Sequence, residues 1–169
     1  MELFTHEVKD MKELHKTIKS NKEIFQEYEV AVIVYAFDKD NKIIFQRRGM
    51  ECRDERLKLE TIGGRVKPSD TNFRIALNRE IIEEVGTEAN INIEEFIVAT
   101  YAETFDERYN KKQAWVYLVY KGKLENGELK IAEPDKCLGY ERYKIGEVDE
   151  KELSNGAKEI YEIVSKKYK

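Results

Sequence analysis

Asn72-Phe73-Arg74-Ile75-Ala76-Leu77-Asn78-Arg79-Glu80-Ile81-Ile82-Glu83-Glu84-Val85-Gly86, together with the glycine pair Gly63-Gly64 ahead of it, decides how this chain reads. The stretch predicts a helix. Ser69, Asp70 and Thr71 follow Pro68 as candidate N-caps, helix formers then run without glycine or proline, and Gly86 stands where helices stop. Glu80, Glu83 and Glu84 are spaced i, i+3 and i+4, so their side chains leave one face within one turn. Leu77, Ile81, Ile82 and Val85 supply the packed side, and the core therefore fixes where the acids point.

Three carboxylates on one turn repel each other by roughly 0.2–0.5 kcal/mol per exposed pair. Glu83 and Glu84 also sit near the C-terminus, where the helix dipole disfavours anions. Helix stability does not ask for this arrangement. A hard divalent cation such as Mg²⁺ reverses the sign, because it takes carboxylate oxygens while keeping waters and substrate phosphate oxygens. The competing reading is a solvated acidic face with Arg79 paired to Glu83 at i+4, and the local pattern alone leaves both open.

With 169 residues the chain is expected to be one domain, with an N-terminal helical arm over 1–27, a core over 28–148 and a C-terminal helix over 149–169. The formal charge of −4 argues against a general nucleic-acid binder. No apolar run approaches the ~20 residues of a membrane span, and MELFTHEVKD has neither a basic start nor an apolar core, so a cytoplasmic protein with no membrane partner is expected. Cys52 and Cys137 lack metal-site spacing and read as reduced, buried thiols. The two histidines, His6 and His15, lie in the N-terminal segment, which disfavours a histidine-activated nucleophile or a histidine-rich metal site. Catalysis would then rest on carboxylates and a metal.

In chain order, Val8, Met11, Leu14 and Ile18 predict a short amphipathic helix from about Thr5 to Lys19, packed on the domain or on a partner, and a homodimer is compatible with it. Val30–Phe37 is apolar throughout, as in a strand buried on both faces. A turn over Asp38–Lys42 returns through Ile43–Arg48. Leu57–Ile62 regains apolar character and reaches the glycine pair, which reads as a turn between strand and helix that lets backbone approach a ligand. Beyond the acidic helix, Phe96–Tyr101 and Ala114–Tyr120 read as strands, joined by an acidic loop over Glu103–Arg108. Lys121–Lys130 reads as a polar turn and Tyr140–Ile145 as a short strand. Ala157, Ile160, Tyr161, Val164 and Tyr168 form the stripe of a terminal helix. Two strands apolar on both faces imply a sheet covered on both sides.

Gly63-Gly64, Asp70 and Arg79–Gly86, taken together, resemble the box of the Nudix (MutT-like) hydrolases, G-x5-E-x7-R-E-U-x-E-E-x-G-U with U aliphatic. The second half matches up to Gly86; Lys58-Leu59-Glu60 and Arg47-Arg48 extend the likeness over roughly Val30–Gly86. Asp70 stands where the first glutamate belongs, one extra residue separates it from Arg79, and Thr87 replaces the last aliphatic residue. The resemblance implies an α/β (α+β) fold, a three-layer α/β/α sandwich with a mixed sheet between helices. It implies Mg²⁺, or Mn²⁺, held by Glu80, Glu83, Glu84 and the Gly63 carbonyl, with Arg79 orienting a glutamate. Glu80, or an acid within Glu103–Glu107, would be the base; Glu80, Glu83 and Arg79 form the implied catalytic set. Arg48 is the implied phosphate ligand and Glu103 a substrate-side residue. The substrate class is a small nucleotide: a nucleoside triphosphate, a modified nucleotide or a nucleotide sugar. Glu133-Pro134-Asp135-Lys136-Cys137, followed by Tyr140 and Tyr143, is similar to nucleotide-hydrolysing relatives, while Tyr101 and Trp115 could stack on a base. The alternative is a catalytically silent Nudix-fold module that binds a nucleotide and reports it to a partner.

Overall fold

The computed structural model describes residues 1–19, 27–52 and 54–169. Its organising strand is β2 (Tyr28–Phe37), most of whose side chains are buried. β2 pairs in parallel along its whole length with β7 (Lys111–Asn126), from Tyr28 opposite Ala114 to Phe37 opposite Lys123. The hairpin to β3 (Ile43–Arg48) holds only at Phe37 and Ile43. From there the partners diverge. β2 takes β5 (Ile62–Arg65) on that side, whereas β3 pairs with β4 (Leu59–Glu60) and β8 (Cys137–Tyr143). The sheet therefore divides beside the glycine pair.

β6 (Asn90–Asp106) completes the other side, antiparallel to β7, and β1 (Glu2–Phe4) adds an edge strand. One face of this mixed sheet packs Val32, Val34 and Leu118 against α1 (Met11–Lys19) and α2 (Phe73–Val85). The opposite face packs Tyr35, Phe45 and Val119 against α3 (Asn155–Tyr168). Burying β2 and β7 on both faces thus produces the expected α+β layering of a mixed sheet between helices. Among the described residues no helix is long and apolar enough to cross a membrane.

Four local expectations are corrected. The first helix starts at Met11 rather than near Thr5, because Asp10 accepts from the Glu13 N–H at 3.0 Å and Glu13 reaches back to the Lys9 N–H at 2.8 Å. Asp10 and Glu13, spaced i and i+3, were the legible boundary signal. The supposed acidic loop is mostly strand: β6 runs to Asp106 and β7 begins at Lys111, so only a four-residue turn remains. Lys121–Asn126 likewise continues β7, with Gly122 lying against Val34, where a Cβ would come within 2.7 Å of Cγ2. The glycine pair is not a turn but part of β5, opposite Ile33 and Val32.

Candidate active site

Helix α2 is started by Asn72, whose side chain accepts from the Ile75 N–H at 2.9 Å, and not by Ser69, Asp70 or Thr71. It ends at Gly86, with φ 85° and its N–H on the Ile82 carbonyl. Phe73, Ala76, Leu77, Ile81 and Val85 enter the core, whereas Ile82, expected on the packed side, is 51% exposed. This rotation turns Glu80 and Glu84 towards β5 and leaves Glu83 outward.

Asp70, standing in the place of the first glutamate of the box, is a partner of Arg79 in the fold. Its carboxylate accepts from Nε at 2.9 Å and Nη2 at 2.7 Å, a two-pronged charge-assisted pair, and from the Lys67 N–H. Arg79 also donates to Glu80 at 2.8 Å, to Glu83 at 3.2 Å and to the Arg65 carbonyl. The Arg79 bond holds the Asp70 carboxyl below its ordinary value, and the same bonds push the guanidinium further up.

The glycines let acids reach the sheet. A Cβ on Gly64 would lie 2.4 Å from the Glu80 carboxyl carbon, so a larger residue there would displace that carboxylate. Gly63 has φ 155°, and a Cβ there would sit 2.2 Å from the Val32 carbonyl oxygen. Its N–H donates to Glu84 Oε2 at 2.9 Å. Burial pushes the Glu84 carboxyl well above the carboxylate range; the Gly63 N–H and the Gln46 amide oppose this, and the nearby charges of Glu60 and Glu80 add to it. Burial likewise raises Glu80, against the Arg79 bond.

Two clefts meet here. A polar one of about 340 Å³ includes Gly63, Glu84, Gln46, Lys136, Cys52 and Cys137 in its lining. A second, of about 410 Å³, lies between the β6–β7 hairpin and the start of α3, with Glu103, Phe105, Tyr117, Asn155 and Ile160 among its walls. Arg48 and Glu60 line both. They form an ion pair, and Arg48 also binds Asp54 at 2.8 Å, so its charge is already matched by carboxylates. Glu103 pairs with Lys112 at 3.7 Å. Arg47 is structural, forked onto Glu141 at 2.7 and 2.8 Å.

The fold thus gathers Gly63, Glu84 and Arg48 on the polar cleft, seats Glu80 against the adjoining strand, and places Glu103 in the neighbouring cleft. Glu83 stands 42% exposed between Arg79 and Lys67. Glu60 is the site residue that sequence reading passed over. Alternation in β4 could have found it: Leu59 is fully buried in the α3-side core, so Glu60 must face the other way. Tyr140, which follows the stretch similar to nucleotide-hydrolysing relatives, bridges the carbonyls of Glu84 and Lys130 with its hydroxyl and anchors the end of α2. Trp115 donates to Thr104 Oγ1 and stacks on Tyr117, which does reach the second cleft.

Among the described residues no three acids, histidines or cysteines converge into a ready-made metal cage. The donor chemistry nevertheless suits a hard cation: carboxylates crowded against each other and raised by burial are what a divalent ion relieves.

A family model described as the NUDIX domain matches residues 27–164. Among solved structures, the chain is similar to a MutT NUDIX hydrolase from Burkholderia pseudomallei, with a TM-score of 0.63 at 22% identity over 82% of this chain and 99% of that one. A MutT protein from Methanosarcina mazei Go1 gives a TM-score of 0.68 at 17% identity, over 86% and 99% of the two chains. The NUDIX domain of Shewanella oneidensis NrtR, solved with ADP ribose, gives 0.65 at 14% identity, over 94% and 100%. No curated relative matches the sequence.

Proposed function

The chain belongs to the NUDIX family of hydrolases acting on acid anhydrides, and from that premise we propose that it cleaves, with a divalent metal, the phosphoanhydride of a nucleoside diphosphate derivative. The observation that carries this reading is the Glu84 carboxylate, seated on the Gly63 N–H at the floor of a polar cleft and crowded by Glu60 and Glu80.

Glu80, Glu83, Glu84 and the Gly63 carbonyl would hold Mg²⁺ or Mn²⁺. When bound, the ion supplies charge neutralisation and acidifies a water. The protein does the rest. Arg79, fixed from behind by Asp70, aims Glu80 and Glu83. Glu80 accepts the proton of the attacking water; an acid of the Glu103–Glu107 segment is the other candidate. Arg48 exchanges a carboxylate for a substrate phosphate. Tyr117 and Phe105 offer aromatic faces to a nucleobase in the second cleft, with Glu103 at its rim. Nucleoside triphosphates, modified nucleotides and nucleotide sugars all fit this division.

A panel of nucleoside triphosphates, dinucleoside polyphosphates and nucleotide sugars, assayed with Mg²⁺, with chelator and beside Glu83→Gln, tests the reading. Turnover of at least one member, abolished by chelator and reduced in the variant, is expected. Chelator-insensitive turnover would sink the metal mechanism. One observation favours the silent nucleotide-binding module instead: Arg79 already satisfies Glu80 and Glu83. Saturable binding without turnover of any panel member would decide for it.

A further inference from the structure

The chain has two cysteines, far apart in sequence, and both thiols line the polar cleft. The loop after β3 is held to the segment before β8 by Gly49 N–H on the Lys136 carbonyl at 2.8 Å and Glu51 N–H on the Asp135 carbonyl at 3.3 Å. Gly49 permits this contact, since a Cβ there would lie 2.4 Å from the Asp135 oxygen. Such bonds hold the two stretches at strand-pair separation, about 5 Å. Cys52 Sγ points across the junction, donating to the Lys136 carbonyl at 3.3 Å, one residue from Cys137. Cys137 Sγ donates to the Gly139 carbonyl at 3.6 Å. Both residues are buried, at 8% and 6% exposure, and free.

We propose that Cys52 and Cys137 are a peroxide-responsive dithiol whose disulfide narrows the polar cleft beside Gly63 and Glu84. A peroxide oxidises one thiol to a sulfenic acid, releasing water. The other thiol attacks that sulfur and the hydroxyl leaves as a second water, so two thiols and one hydrogen peroxide become one disulfide and two waters. The bond fastens Cys52, on the stretch that follows β3, to the start of β8. Both cysteines and Glu84 line the same cleft, so drawing the sulfurs together reshapes its wall. The effect on turnover rests on the hydrolase reading; the joining of the thiols does not.

The experiment titrates the reduced protein with hydrogen peroxide, alkylates the remaining thiols, and reads each sample by intact mass, non-reducing peptide mapping, Mn²⁺ binding and Mg²⁺-dependent nucleoside triphosphate hydrolysis. A Cys52–Cys137 linked peptide, two hydrogens lighter, is expected. Mn²⁺ affinity and turnover fall with the linked fraction, and dithiothreitol restores both. Cys52→Ser and Cys137→Ser, each judged against its own reduced sample, form no linked peptide and lose peroxide sensitivity; thermal melts check that they fold. Sulfinic or sulfonic acids, or intact thiols, without a linked peptide would overturn the pairing. A linked protein with unchanged Mn²⁺ binding and turnover would overturn the closure. Should no nucleotide be turned over, the mapping still decides the pairing and Mn²⁺ binding the closure, so failure of the hydrolase reading is distinguishable.

Discussion

Helix α2 carries two acidic regions built from the same residue type and solved in opposite ways. At Arg79, a half-buried Asp70 and the carboxylates of Glu80 and Glu83 surround one guanidinium, with bonds of 2.7–3.2 Å. At Glu84, less than two turns on, the carboxylate is held by an uncharged donor, the Gly63 N–H, beside further acids. In the first region the acids are oriented by a cation already in the fold. The second is crowded with negative charge, and crowded buried carboxylates become either protonated or metal-bound.

The largest effect that could break this contrast is on catalysis. Glu84→Gln keeps the Gly63 N–H bond through its amide oxygen yet removes the charge, so turnover should drop by about 100-fold or more, with no loss of thermal stability. Full activity in this variant would dismiss the Glu84 region as the reactive one. Gly63→Ala tests the shared scaffold. Its Cβ would strike the Val32 carbonyl oxygen in a backbone conformation that favours glycine, and a stability loss of roughly 2–4 kcal/mol is expected in denaturant melts. A smaller loss would mean that β5 can shift, and that Gly63 is not pinned.

Asp70 and Arg79 should behave as a coupled pair. A double-mutant cycle of Asp70→Asn and Arg79→Met should give a coupling of about 1–2 kcal/mol; additivity would reduce the network to coincident surface pairs. The smallest effect is the most diagnostic, because the two regions respond to pH with opposite sign. Asp70 is depressed in the fold, chiefly by the Arg79 bond. Its stabilisation is complete above the unfolded carboxylate value and is lost as pH falls through the lower folded one. Glu84 is raised, chiefly by burial. The folded state therefore holds its proton more tightly, and stability falls as pH rises through the raised value. Melting temperature without metal should rise as pH is lowered from neutral towards the carboxylate range, then fall below it. Glu84→Gln should flatten the first limb and Asp70→Asn the second. Added Mg²⁺ should stabilise the neutral-pH protein.

The legible parts of the site were those set by periodicity. Glu80, Glu83 and Glu84 share a helix face because 3.6 residues make a turn, and Val30–Phe37 had to be buried on both sides because it offers no polar alternation. Arg79 with Glu83 was visible at i+4. Asp70 with Arg79 was not, since a loop residue's partner depends on how the chain re-enters the helix. The hairpin tip was misread because Glu103 and Asp106 look like turn residues, whereas pairing with Ala114 and Lys111 carries the strands through them.

By itself, the sequence determined the acidic helix, the doubly buried strands, two cysteines without metal spacing and the family these motifs resemble. These are properties of neighbours along the chain, fixed by helix and strand repeats. Only the tertiary structure decided which acid rests on Gly63, that Glu60 and Arg48 line both clefts, and that Cys52 reaches the Lys136 carbonyl beside Cys137. Those relations join residues from different strands and loops. They follow from where the sheet divides around β2, a choice made by long-range pairing that no local repeat encodes.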